Sequence, residues 1–326
     1  MRLVRLAWQF LRYRVAIMLL LFLLLSTALH GNLANYYPAI LLASLALIFS
    51  YISATSMNDI TDKKIDSINH PDSPGRPLVS GRATIRDAKL VFLLSSIAAL
   101  LFALSINWGA AALIALSILI NVLYSVPPFR ISYRTFFAPL LLGIAYVGVP
   151  YALGIAITNS NATTNDILWF AGLYAIFIGR IILKDFRDRK GDSKYNKPTF
   201  LLRFGKKATC IFSVLAILLG GLIIIFQVRA SSWLALLVSL YLASILFMIK
   251  RLYQAAEGTE EQISIGIGAK MGNGLMITLL TYFALLSGGA PESTQITVSL
   301  IISGLFFINY VAFFSNPHSA VIGYKG

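Results

Sequence analysis

Two short stretches place carboxylates at spacings that could hold a metal ion. "NDITDKKID" (58–66) puts Asn58, Asp62 and Asp66 at i, i+4 and i+8, and "DFRDRKGD" (185–192) puts Asp185, Asp188 and Asp192 at i, i+3 and i+7. On helices the first trio drifts by about 80° and the second spans about 60°, so each forms a stripe on one face. Carboxylates one turn apart repel by a few tenths of a kcal/mol, and the end of an apolar helix is the wrong end of the helix dipole for them. A divalent cation removes both costs. Oxygen donors of this kind suit Mg²⁺, which is usually held by one or two carboxylates together with substrate phosphates. The bland alternative is a pair of solvated loops screened by Lys63, Lys64, Arg187, Arg189 and Lys190. The D-x-x-D-x-x-x-D spacing occurs in both (59/62/66 and 185/188/192), and that repetition favours a ligand site. Asp59 lies about 60° from Asp62 on a helix and is either a support for that residue or solvated. Asp72 and Asp87 read as ordinary surface acids.

Basic residues accompany both stripes. Arg76 and Arg82 lie in "PGRPLVSGR" (74–82), Arg130 and Arg134 in "YSVPPFRISYR" (124–134), and Lys184 directly precedes Asp185. Carboxylates, Mg²⁺ and guanidinium or ammonium groups together are what a diphosphate requires: metal bridges its oxygens and cations take the remaining charge. Any one of these basic residues alone would read as an interfacial anchor.

The elements that position these groups are membrane helices. The chain has 326 residues, 58% of them hydrophobic and 12% charged, with mean hydropathy +0.78. Spanning a ~30 Å hydrocarbon core takes about 20 apolar residues as a helix, and the internal hydrogen bonding that lipid demands excludes open strands. Ten spans are predicted, near 15–30, 36–57, 86–106, 109–127, 136–157, 166–183, 208–228, 231–249, 267–288 and 295–315. Assigning alternate loops to one side collects 26 of the 27 Lys and Arg there, with Arg229 opposite. The positive-inside rule then puts both termini and both acidic loops in the cytoplasm, Lys325 included. The net charge of +14 is thus a topology signal, and no nucleic-acid partner is expected. Of the outward loops, only those carrying Asp166 and Glu292 hold acids.

Other features carry less. The first apolar run follows Arg2, Arg5, Arg12 and Arg14, but it has no A-x-A cleavage pattern and reads as a retained helix. Cys210 is the single cysteine, and His30, His70 and His318 are isolated in sequence, so no Cys/His metal site is expected. The glycines of "GIGAKMGNG" (266–274) follow no strand and read as helix-packing positions. "NAT" (161–163) fits a glycosylation sequon on the outward side.

At the two acidic stretches the chain resembles the UbiA superfamily of intramembrane prenyltransferases. The resemblance rests on N-D-x-x-D-x-x-x-D at Asn58–Asp66, on "INHPDSPGRPLVSG" (68–81), on "LYSVPPFR" (123–130) and on D-x-x-D-x-x-x-D at Asp185–Asp192. Gly191, Lys197, Thr199 and "RFG" (203–205) continue the last motif. It covers roughly residues 8 to 230, leaving helices at about 231–316 beyond that core. The wording is closest to chlorophyll synthase-like and archaeal digeranylgeranylglyceryl phosphate synthase-like members. Arg12 matches a family arginine that faces the diphosphate, although Tyr13 stands where proline is common.

The resemblance implies a single all-α domain of nine to ten transmembrane helices around a central cavity. It implies transfer of a polyprenyl group from a polyprenyl diphosphate to a small acceptor, either an aromatic ring or a lipid or polyol phosphate. Asn58, Asp62, Asp66, Asp185, Asp188 and Asp192 would face one another and bind a pair of Mg²⁺ ions, while Arg12, Arg76, Arg130 and Lys184 would hold the diphosphate. Tyr124, Tyr146 and Phe49 could shelter an allylic cation, with core packing the ordinary role for each. Two rival activities are a transporter with an acidic cation cluster and a UbiA-like terpene cyclase. The transporter reading is weakened because no acid lies mid-span. A CDP-alcohol phosphotransferase would need D-G followed by A-R on one helix, which this chain lacks.

Overall fold

The structure, a computed structural model, describes residues 2–71 and 75–319; Asp72 and Lys325 lie outside the described residues. Among those residues there is no strand, and ten helical stretches are long and apolar enough to cross a membrane. A short helix α1 (Arg2–Phe10) leads into α2 (Tyr13–His30), α3 (Tyr37–Thr61) and the short α4 (Lys63–Asn69). Then come α5 (Ile85–Leu104), α6 (Trp108–Ser125) and α7 (Phe137–Gly143), which passes through a π-helical segment (Ile144–Gly148) into α8 (Val149–Ile157). The second half holds α9 (Thr164–Ile181), α10 (Asp185–Lys194), α11 (Phe200–Gln227), α12 (Ser232–Gln254), α13 (Thr259–Ser287) and α14 (Glu292–Ser315).

Local sequence sets where these helices begin. Thr84 and Asp87 form a capping box at the start of α5, so Asp87 has a structural task at the surface. Thr163 and Asp166 do the same for α9, and Asn107 caps α6. Leu23, Leu25, Ile114, Leu153, Ile217 and Ile224 are fully buried between helices, whereas Leu222, Ile308 and Leu101 are well exposed. That outward apolar surface suits contact with lipid chains.

Helix α3, which carries the first acidic stripe, is seated by hydroxyl pairs. Ser53 shares a hydrogen bond with Ser96 of α5 at 2.7 Å, and Ser50 donates to Ser117 of α6 at 3.1 Å. Contacts of this kind contribute about 0.6 kcal/mol each in membrane proteins. On the other side, α9 leads to the second stripe and lies against α11 where Gly172 and Gly220 face each other, too close for side chains between them. Both acid-bearing segments thus emerge from well-anchored helices.

The predicted spans correspond to the ten apolar helices, with three local differences. Helix α3 stops at Thr61, and Asp62 (φ −101°, ψ 10°) forms a bend before α4. A 3₁₀ turn at Ile182–Lys184 joins α9 to α10. Helix α13 starts well before the apolar run at 267, its first-turn Glu261 pairing with Lys206 and Arg189, and α11 is broken at Gly205 (φ 78°), so that its apolar part begins close to the expected 208.

Candidate active site

The first stripe is built on the bend. The i→i−4 ladder survives it: the Asp62 amide donates to the Asn58 carbonyl at 2.9 Å and the Asp66 amide to the Asp62 carbonyl at 2.8 Å. Asn58, Asp62 and Asp66 therefore keep their common face while the backbone turns. The Asn58 amide donates to Asp62 Oδ2 at 3.2 Å. Asp59 is not solvated; it is 2% exposed, and its Oδ1 accepts from Arg12 and from Arg76, each at 2.5 Å. Arg76 also reaches to 3.1 Å from Asp66 Oδ2. Two of the arginines expected at a diphosphate are thus held in place by Asp59.

The second stripe meets the first through α4 and α10. The Gly191 amide donates to Asn69 Oδ1 at 2.6 Å, and a Cβ at position 191 would lie 2.7 Å from both that side chain and the Ile65 carbonyl. Only glycine permits this approach. His70 Nε2 lies 3.1 Å from Asp188 Oδ1, so His70 is no isolated surface histidine. Lys197 sits between the stripes, with Nζ 3.4 Å from Asp192 Oδ1 and 3.6 Å from Asp62 Oδ2. Burial would lower the Lys197 pKa, yet Asp62 and Asp192 hold it above its ordinary value.

These groups line a cavity of about 210 Å³. Its wall includes Arg12, Asn58, Asp62 and Asp66 on one side and Lys184, Asp188, Asp192 and Lys197 on the other, with Arg76, Tyr124 and Tyr146 also on it. Asp185 does not reach it. That residue pairs with Lys184 at 3.2 Å and lines a smaller adjoining recess with Ser132 and Thr135. Arg130 lies beside Asp62 at 3.3 Å, in a left-handed conformation (φ 36°) uncommon for a side-chain-bearing residue, with its guanidinium over the Tyr133 ring. Phe49 stacks on Phe102 at 5.7 Å, away from the cavity, and serves packing.

The donor set fits Mg²⁺. Asp66 Oδ2 and both oxygens of Asp192 on the cavity wall are buried without a hydrogen bond, Arg76 and Lys197 being near but not aligned to donate to them. Burial, followed by the neighbouring Asp59 charge, pushes Asp66 up to about 8. Among the described residues no three acidic, His or Cys side chains converge tightly enough to cage an ion unaided. Mg²⁺ commonly leaves part of its shell to phosphate oxygens and water, and sparse, unsatisfied carboxylates on a cavity wall match that habit.

A model of the UbiA prenyltransferase family matches residues 15–274. The chain belongs to that family. The match runs past the core of 8–230 read from the motifs and takes in α12 and most of α13. Among its relatives, 2-acylphloroglucinol 4-prenyltransferase of Humulus lupulus is 32% identical over 179 residues, 51% of this chain and 42% of that one. Digeranylgeranylglyceryl phosphate synthase of Methanobrevibacter smithii is 30% identical over 192 residues, covering 55% and 63%. The matched region thus spans less than two thirds of either relative. A solved digeranylgeranylglyceryl phosphate synthase superposes with TM-score 0.64 at 19% identity, over 87% of this chain and 99% of the other. A UbiA homologue from Archaeoglobus fulgidus, bound to DMAPP and Mg²⁺, gives 0.57 at 16% identity, over 97% and 98%. At such identities the superpositions establish the UbiA fold.

His70, Asn69 and Lys197 have places in this UbiA site that motif reading did not give them. Asn69 and His70 enter the sequence reading only as part of "INHPDSPGRPLVSG" (68–81), with no role of their own, and Lys197 only as a continuation of the second motif.

Proposed function

We propose that this protein transfers a polyprenyl group from its diphosphate to a small acceptor, in an Mg²⁺-dependent reaction at the cytoplasmic membrane surface. The observation that carries the reading is Lys197 Nζ between Asp62 and Asp192, which brings two acidic motifs far apart in sequence onto one cavity. The activities named for the relatives support it, as do the DMAPP and Mg²⁺ bound by the Archaeoglobus fulgidus homologue. The basic loops support the cytoplasmic side.

Asn58, Asp62, Asp66, Asp188 and Asp192 would hold the metal, with Asp185 holding Lys184 at the cavity. Bound Mg²⁺ would neutralise the diphosphate and make it a better leaving group. Arg12, Arg76, Arg130, Lys184 and Lys197 supply the remaining positive charge. The prenyl C–O bond breaks and its electron pair leaves with the diphosphate. The new bond forms from a nucleophilic atom of the acceptor, which gives up a proton. Tyr124 and Tyr146 on the cavity wall can face the developing allylic cation, and the surrounding apolar helices keep water from it.

A radiolabelled prenyl diphosphate series, offered with candidate acceptors with and without Mg²⁺ to the purified protein, tests this reading. Asp62→Ala and Asp188→Ala should each abolish transfer while the protein stays folded; full activity in either would remove the metal assignment. Cation flux in liposomes without diphosphate turnover would favour a transporter, and release of a cyclised prenyl product without an acceptor would favour a cyclase.

A further inference from the structure

Helix α10 carries Asp188 and Asp192 but has little of its own to hold it. It is ten residues long, and Phe186 is its only buried large apolar side chain. A 3₁₀ turn at Ile182–Lys184 separates it from α9, and Asn196, left-handed at φ 50°, separates it from α11. Neither neighbouring helix therefore sets its rotation about its own axis. Polar contacts must do so.

Two such contacts bracket the acids. At 100° per residue Asp188 and Asp192 lie about 40° apart, with Gly191 about 80° to one side of their midline and Arg189 about 80° to the other. Asn69 of α4 meets Gly191. Glu261 of α13, which is 1% exposed, meets Arg189, whose Nη2 donates to both its carboxylate oxygens at 3.3 Å. Glu257, in the turn before α13, pairs with the same guanidinium at the surface. Lys206 directly follows Gly205, where α11 breaks, and its Nζ donates to Glu261 Oε1 at 2.9 Å and to the Ala255 carbonyl at 2.7 Å. One buried carboxylate thus joins α10, the break in α11 and the turn between α12 and α13.

Stability alone does not account for this cluster. A buried carboxylate between two cations is costly to desolvate, and apolar residues of similar volume often leave a protein as stable or more so. Directional, charge-assisted hydrogen bonds supply a defined orientation that apolar contacts do not.

We propose that Glu261 is a positioning residue for the second acidic segment. Through Arg189 it fixes the rotation of α10, and so the direction in which Asp188 and Asp192 face the cavity. Its consequence for metal binding rests on the transferase reading above. It gives α13, which lies outside the stretch that holds the motifs, a part in the reaction.

Two measurements on the purified full chain test it, with Glu261→Gln and with the apolar triple variant Arg189→Met, Lys206→Met, Glu261→Leu. The first is amide hydrogen exchange without metal or donor. Exchange across 185–194 should quicken roughly tenfold in both variants, while α3 and α5 keep wild-type rates. The second is the Mg²⁺ concentration that half-saturates binding of an unreactive prenyl diphosphate analogue. It should rise about tenfold in both, the lower end of what losing a metal ligand's outer support costs. The triple variant should melt at least as high as the wild type, which separates lost orientation from lost stability. Wild-type exchange across 185–194 in the triple variant, or an unchanged Mg²⁺ requirement, would overturn the proposal. So would a much lower melting temperature, which would assign Glu261 to stability instead. The triple variant decides even if Glu261→Gln does not fold. If the wild type itself shows no Mg²⁺-dependent binding of the analogue, the transferase reading falls, and the exchange comparison alone decides on Glu261.

Discussion

His70 Nε2 lies 3.1 Å from Asp188 Oδ1, joining the end of the first acidic segment to the middle of the second. The same histidine closes α4, its amide donating to the Asp66 carbonyl at 2.8 Å. A single pentapeptide, Asp66 to His70, thus contributes a candidate metal ligand, the Asn69 contact to Gly191 and a clamp on a second candidate ligand.

Replacing that clamp should loosen the site without unfolding it. His70→Ala is expected to lower kcat/KM roughly ten- to hundredfold, the usual effect of removing a partner that orients a metal ligand. The half-saturating Mg²⁺ concentration should rise in parallel. Steady-state diphosphate release across a Mg²⁺ titration measures both, and an unchanged half-saturation would show that Asp188 does not depend on His70.

Arg76 should matter to stability as much as to turnover. It is buried between Asp59 and Asp66, and removing one partner of a buried ion pair costs about 3–5 kcal/mol. Arg76→Met is expected to lower the thermal midpoint in detergent sharply. Asp66→Asn in the same chain should return part of that loss, because Asp66 is the acid stranded by it, whereas Asp59 still has Arg12. Strict additivity of the two changes would mean that the residues are not coupled.

At position 191 even one methyl should be felt. Gly191→Ala forces α10 away from Asn69 and the Ile65 carbonyl, a form of overpacking that typically costs about 1–3 kcal/mol. Pairing it with Asn69→Ala should recover only part of the loss, since the Ile65 backbone oxygen remains. Thermal unfolding of the three variants gives the comparison, and complete recovery would show that the backbone contact is not limiting.

Metal and donor should bind as partners. With no three acids converged on one point among the described residues, Mg²⁺ alone should raise the melting temperature little. Mg²⁺ with an unreactive prenyl diphosphate analogue should raise it by more than the two separate shifts combined. A chelator should stop transfer, and added Mg²⁺ should restore it. A full shift from Mg²⁺ alone would indicate an ion cage complete without substrate.

The ten apolar helices and the two acidic stripes were readable because each depends on near neighbours in sequence, through hydropathy runs and helical spacing. The placement of Asp59 was not. Its burial depends on Arg12 and Arg76, which approach from other segments, and no local pattern reports that. The bend at Asp62 escaped for a related reason: the stripe's periodicity is the same whether the axis is straight or turned, since the hydrogen-bond ladder continues through it. Phe49 and Tyr146 are alike as sequence signals, yet one stacks on Phe102 and the other lines the acidic cavity. Only tertiary packing separates them.

Helix α10 is fastened on two flanks, to α4 through Gly191 and Asn69 and to the start of α13 through Arg189 and Glu261. A segment tethered that way has little freedom to swing as ligands come and go. Its carboxylates are set in position during folding, so on the proposed transferase reading an arriving diphosphate would meet a ready-made berth rather than a jaw that must shut. The entropy of arranging the acids is spent once per molecule made, not once per catalytic cycle.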